Sequence, residues 1–253
     1  LYVSEAKLMP ATSEYSNNSN MSSELGGALS LFGGGYSNVS QDKTKEAVAF
    51  INSRTFFRIL YENENFVKDL FTSKQFNKQT NELIFDNEKY DVAESQFIDK
   101  ISFEQAFYDF HNGIFLISEN LETGIYTLKI KHISPYTAAY WLERIIIGIN
   151  DFIKIRSVDE TEKKIKFYES KIIDTNIASL RALFSNNLAR ELQTIAYSEA
   201  TDEFAFNVID FPYVPERPSE PSRTIIVILG TILSFLMSCM ISIIYHFIFG
   251  KQS

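Results

Sequence analysis

The chain has 253 residues, 45% of them hydrophobic, and carries 32 acidic against 24 basic side chains for a formal net charge of −8. That length suits one or two domains with a real core, and the acidic balance excludes the basic surface that nucleic-acid binding requires. Cys239 is the single cysteine, which excludes an intrachain disulfide and with it the small disulfide-stapled secreted class.

The chain opens on "LYVSEAKLMP", without an initiator Met and without the basic start and apolar core of a signal peptide. The expectation is that a further segment, membrane-spanning, precedes Leu1. "YVSEAKLM" alternates like a strand and is stopped by Pro10. Residues 11–40 are rich in Ser, Asn and Gly and hold three N-x-S sequons at Asn17, Asn20 and Asn38. Gly26, Gly27, Gly33, Gly34 and Gly35 read as loop, and no G-x-x-x-x-G-K-[ST] pattern turns them into a phosphate cradle.

From Gln41 the text becomes helical. Val48, Ile51, Phe56 and Ile59 recur near helical spacing, and "ENENFVKDLF" begins a second short helix. "FEQAFYDFHNG" predicts another short helix with a glycine at its C-terminal end. Two apolar-alternating runs then flank "ENLETG", the pattern of an antiparallel hairpin.

Ser134 can cap and Pro135 fits the first position of a helix in which Leu142, Ile145, Ile149 and Phe152 keep one face. After a polar middle, Ile165, Tyr168 and Ile172 resume that face, with a possible kink at Ser157–Glu160. Unbroken to Ile173 this helix is about 58 Å long, too long for one compact domain. "TNIASLRALFSNNLARELQTIAYSEA" returns as a second helix, and "EFAFNVIDF" closes as a strand. The fold class is α+β: a mixed α/β base with a long protruding helical hairpin over about 135–199, followed by a C-terminal transmembrane helix.

Residues 1–210 form the main domain. A stem over 211–223 carries Pro215, Pro218 and Pro221 at three-residue spacing, which suits a polyproline II spacer better than a docking ligand. From Thr224 to Phe249 no Asp, Glu, Lys or Arg occurs, long enough in a helix to cross the ~30 Å hydrocarbon core. Gly230, Ser234, Ser238 and Ser242 place small residues on one stripe of that helix, a surface for close helix–helix packing. A four-residue tail, 250–253, follows. Arg217 and Arg223 before the run and Lys251 after it leave the positive-inside rule little to count.

Chemistry-bearing patterns are scarce. His111, His132 and His246 stand apart, with no H-E-x-x-H, no Cys/His cluster and no G-x-S-x-G. "DETEKKIKFYESK" reads as a solvated helix face with i,i+4 ion pairs. No catalytic residue, metal ligand or cofactor is assigned, and the chain is read as a non-enzyme.

Taken in order, "YVSEAKLMP", "GGALSLFGG", "EAVAFINSRTFFRILYENENFVKDLF", "ETGIYTLKIKHISPYTAAYWLERIIIGIND", "TNIASLRALF" and "FNVIDFPYVPERPSEPSR" resemble the Wzz-type polysaccharide chain-length determinants, or polysaccharide co-polymerases. The proline-rich segment before the last span is the most specific piece. The resemblance implies a bacterial inner-membrane protein with two transmembrane helices, the bulk of the chain in the periplasm and the C-terminus in the cytoplasm. It implies a homo-oligomer that sets the modal length of a surface polysaccharide such as O-antigen made by a Wzy-type polymerase, through contact with that polymerase or with the growing glycan. It places this chain in the class without a fused kinase, because only "GKQS" follows the helix. Ser53, Arg54, Phe56 and Arg181 fall on family motifs without a stated role. The competing expectation is a polysaccharide-export or signalling adaptor working with a separate tyrosine kinase or an outer-membrane exporter.

Overall fold

The computed structural model describes residues 1–11, 39–220 and 223–249, with side chains left out at 39–42, 223–226 and 242–249. The glycine-rich segment, Pro221 and the tail lie outside the described residues. Strand β1 (Tyr2–Pro10) is followed by three short helices, α1 (Val39–Ile51), α2 (Arg54–Glu62) and α3 (Glu64–Phe71). Two small hairpins come next, β2 (Ser73–Asn77) with β3 (Glu82–Phe85) and β4 (Tyr90–Asp91) with β5 (Gln96–Phe97). Helix α4 (Phe103–Asp109) leads into β6 (Phe115–Asn120) and β7 (Ile125–His132). The long helix α5 (Pro135–Asp174), its return α6 (Ala178–Ala200), strand β8 (Phe206–Asp210) and helix α7 (Arg223–Phe249) complete the chain.

One four-stranded sheet, in the order β6-β7-β1-β8 and antiparallel throughout, forms the base. Alternation along β1 buries Tyr2, Ser4, Ala6 and Leu8, and alternation along β7 buries Tyr126, Leu128, Ile130 and His132. Both rows face helix α5. On the other face Glu5 pairs with its cross-strand neighbour Lys129 at 2.7 Å. The predicted β6–β7 hairpin forms over its predicted residues, and Gly124 closes its turn at φ 66°, a conformation costly for any residue with a Cβ. Pro10 ends β1, as the sequence predicts.

Phenylalanine fills the core: Phe57, Phe66, Phe110, Phe115, Phe204 and Phe206 are all fully buried. Phe66 meets Trp141 edge-to-face at 5.1 Å, and Phe110 stacks on Phe115 at 5.2 Å. Helix α5 supplies the wall opposite the sheet through Ala138, Trp141, Leu142, Ile145, Ile149 and Ile153, one apolar stripe at helical spacing. Ser134 caps it by accepting from Thr137 N, with Pro135 at the first position as expected. The helix runs through 157–160 without a break.

Three expectations change. The helix read from Gln41 splits at Ser53, whose hydroxyl accepts from Phe56 N and starts α2. The break resets the helical phase, so Phe56 and Phe57 turn inward while Ile59 is half exposed. The helix from Phe103 ends in one wide turn over Phe110–Ile114 closed by Phe115 N to Phe110 O, and Gly113 has no left-handed φ. That wider turn lets Phe110 and Phe115 enter the core together. Finally, residues 73–97 form two hairpins that no sequence signal marked. The left-handed positions there are Asn81 (φ 58°) and Ser95 (φ 53°), so the glycine punctuation of a hairpin is missing.

Asn150, 4% exposed, closes the architecture. Its amide donates from Nδ2 to Phe206 O at 3.2 Å, and Oδ1 accepts from Ala205 N at 2.8 Å and Phe206 N at 2.9 Å. Ala205 O in turn accepts from the Thr44 hydroxyl and from Ala11 N. Substituting Asn150→Ala strips three buried backbone groups of their partner. The expected cost is about 2–4 kcal/mol, read as a lowered urea midpoint with far-UV helicity retained in native buffer.

Candidate functional site

The protruding hairpin is the first candidate surface. Buried residues on α5 end at Ile153 except for Thr161, and on α6 only Ser198 is buried. Helix α1 flanks the root of the hairpin as far as Lys164, and about 15 Å of α5 beyond it extends past the base, at ~1.5 Å per residue. Ile165, Tyr168 and Ile172 are half-buried, with Tyr168 near Phe184 of the returning helix at 6.3 Å. Two helices can cover each other on one side only. Ile155, Phe167, Ile173 and Leu192 consequently point into solvent, Ile173 with 80% of its surface exposed. At the tip, Arg181 Nη2 donates to Thr175 O at 2.7 Å and ties the turn to the start of α6.

Charge pairs surround the hairpin's root. Arg156 reaches Glu46 of α1 at 3.0 Å and Glu160 of its own helix at 3.2 Å. Lys154 Nζ donates to Thr201 O at 2.9 Å, and Lys164 faces Glu191 at 3.9 Å. Lys43 lies over the Phe204 ring at 4.0 Å. Burial, then the charge of Lys164, pushes its ammonium down to about 8, so the attraction of Glu191 and Glu46 does not offset the lost hydration.

The motif positions are structural in geometry. Ser53 is a helix cap, and Phe56 is buried edge-to-face against Phe50 at 5.3 Å. Arg54 pairs with Glu104 and covers the Phe107 ring at 5.4 Å, joining α2 to α4.

The stem does not stand free. Ser4 Oγ donates to Tyr213 O at 2.8 Å, Ser219 N donates to Leu1 O at 2.9 Å, and Lys131 pairs with Glu220. Pro215 is buried and Pro218 exposed, and 211–220 has no regular secondary structure. The stem thus runs alongside the first half of β1 and leaves the base at Leu1. Counting only residues whose side chains are described, which on α7 are 227–241, no helix is long and apolar enough to cross a membrane. Those side chains are all exposed, Gly230, Ser234 and Ser238 among them, and no helix is described against the stripe. Ser234 Oγ turns back to Thr231 O at 2.9 Å. The side chain of Ser242 lies outside the described residues.

Among the described residues no group of three or more His, Cys, Asp or Glu is placed to hold a metal ion. His111 contacts Phe107 O through Nδ1 at 3.0 Å. His132 is buried at the end of the β7 row, where Nε2 donates to Asp69 O at 2.9 Å and Nδ1 accepts from Ser134 N at 3.1 Å. The same Asp69 accepts from Trp141 Nε1 at 3.1 Å through Oδ2. The two ring contacts demand the neutral imidazole, and burial holds its pKa down to about 4. The unfolded chain protonates this residue near 6.5, so stability falls as the pH drops from about 6.5 to about 4. The loss is on the order of 3 kcal/mol. Burial raises the Asp69 carboxyl, which works in the opposite direction at the acid end. Urea midpoints across this range are expected to fall toward acid in the native chain and to flatten in His132→Gln.

No protein-family model matches the chain, and no curated protein does. Among solved structures the chain is similar to a fragment of WzzB, a polysaccharide co-polymerase from Salmonella Typhimurium, at 10% identity. The match covers 87% of this chain and 99% of that one with a TM-score of 0.39. A likeness of that degree leaves function to be argued from the chain's own residues.

Proposed function

We propose that the chain is a bacterial inner-membrane scaffold that regulates the length of a surface polysaccharide, O-antigen or a related glycan, made by a Wzy-type polymerase. The observation that carries the reading is the α5–α6 hairpin. It exposes Ile155, Phe167, Ile173 and Leu192 beyond a base whose stem leads directly into α7. Apolar side chains held in solvent on a rigid hairpin suit association with further copies of the chain, and a ring of such hairpins offers polymerase or glycan a repeated surface. The six ordered sequence segments support the same reading, the proline-rich stem most of all.

Helix α7 crosses the bilayer in this scheme. Its 26 charge-free residues suffice for the span, and its described side chains contact nothing in the base that covers them. The base and hairpin then stand in the periplasm and the C-terminus in the cytoplasm. The stripe at Gly230, Ser234, Ser238 and Ser242 packs neighbouring spans together. No chemical step is assigned to the chain: its effect is to bias when extension of the glycan stops.

Deleting the gene in its source organism and complementing it tests the reading. The native chain is expected to restore a modal band pattern of polysaccharide on a gel. Ile173→Asp combined with Phe167→Asp is expected to abolish it at equal membrane abundance, and Pro218→Ala with Pro221→Ala to shift it. An identical pattern with and without the native chain refutes a role in length control.

A further inference from the structure

We infer that the β2–β3 hairpin and the first two turns of α5 form a foot, built on Phe76, Lys78, Tyr136 and Tyr140, that rests on the phospholipid headgroups beside the α7 span. The inference depends on the membrane-anchored reading of α7 and adds a second contact with the same bilayer.

Chain geometry fixes where the bilayer lies. Leu1 O accepts from Ser219 N and from Glu220 N, and Lys131 of β7 pairs with the Glu220 carboxylate. The stem is therefore held at the Leu1 end of β1. Only three residues separate Glu220 from Thr224, where the charge-free run begins, and the four peptide steps between them span at most about 14 Å. The headgroup layer is itself about 5–8 Å deep. The Leu1 end of the base is thus held at the membrane surface, whatever path the intervening residues take.

The register of the sheet shows what else lies at that end. Tyr2 pairs with His132, so β7 finishes there and α5 starts there at Pro135. The β2–β3 hairpin reaches the same place. Lys78 Nζ lies 5.6 Å from the Tyr2 ring, and Phe76 lies 6.2 Å from Tyr136. Tyr136 is 50% exposed and Tyr140 47% exposed, one helical turn apart on the outward side of α5.

The chemistry of this corner fits a lipid surface. Tyrosine and phenylalanine beside lysine is the composition that settles at a membrane interface, ring in the acyl boundary and cation at the phosphates. Arg217 and Arg223 lie three residues to either side of Glu220 in the sequence, in a chain whose net charge is −8. Attraction to anionic headgroups also acts only within about a Debye length, which the short tether provides. Two contacts, one spanning and one resting, fix the tilt of the base as a single tether does not.

The test places one fluorescent label at a time on the full chain in vesicles of phosphatidylethanolamine and phosphatidylglycerol. Three sites are read: Gln79→Cys in the β2–β3 turn, Glu169→Cys on the distal hairpin, both with Cys239→Ser, and native Cys239 on α7. With a nitroxide on the headgroup, the label at 79 is expected to lose about half its fluorescence, the depth expected of a headgroup contact. The label at 169 is expected to be unaffected, and Lys78→Glu with Tyr136→Ser to abolish the quenching at 79. A label at 79 as unquenched as that at 169, while Cys239 is quenched by acyl-chain nitroxide, overturns the foot and leaves the span standing. An unquenched Cys239 overturns the span and the foot with it.

Discussion

One buried amide joins the long helix to the strand that returns from the hairpin. Asn150 sits halfway along α5, at the level where the chain returns from the hairpin. It satisfies both N–H groups and one carbonyl of Ala205–Phe206. A returning strand enters a hydrophobic core with backbone groups that must find partners, and the helix it crosses has spent its own backbone on itself. A side-chain amide is the group that can donate and accept at once. Phe206 then enters the core against Tyr126 at 5.6 Å, and β8 pairs with β1 antiparallel, with a register shift between Lys7 and Leu8.

The same helix serves two unlike environments. Up to Ile153 its apolar stripe is shared by sheet and aromatic core, and beyond that point it lies against its own return, with α1 flanking the root through Glu46. The root is held by ion pairs such as Glu46–Arg156, which are half exposed and worth little individually. Their value is positional: Glu46–Arg156 ties the root of the hairpin to α1, while α5 runs unbroken from the core into the hairpin. The lower end is constrained in the opposite sense. Stem, β1, β7 and the start of α5 converge on Leu1, with the neutral His132 buried among them.

Much of the fold could be read in the chain because its signals are local. Alternation marks β1 and β7, Ser134-Pro135 marks the start of α5, and Gly124 marks the β6–β7 turn. Signals failed where local chemistry was ambiguous. Ser53 divides a run whose apolar spacing tolerates an unbroken helix, and only the demand to bury Phe56 and Phe57 together selects the break. The hairpins between 73 and 97 lack glycine at their turns, since Asn81 and Ser95 take the left-handed positions. Gly113 carried a false signal, because the aromatic stack of Phe110 and Phe115 sets the turn there.

Of the candidate residues, Pro215, Pro218, Pro221 and the small-residue stripe were visible as spacing alone, and Arg181 as a motif position. Spacing could not say that Arg181 closes the tip, that Pro215 is buried, or that the stem lies against β1. Asn150, Asp69 and Lys43 left no trace in the sequence, being single polar residues within helices.

Periodicity and composition are properties of neighbours along the chain, and they suffice for the α+β class, the length of the hairpin and the apolar run after the stem. Long-range pairing depends on which distant groups meet out of water, and the residues between them carry no record of it. The order of the sheet, the amide that closes it and the corner where foot, stem and strand converge therefore emerge only when residues more than 50 positions apart share one dry volume.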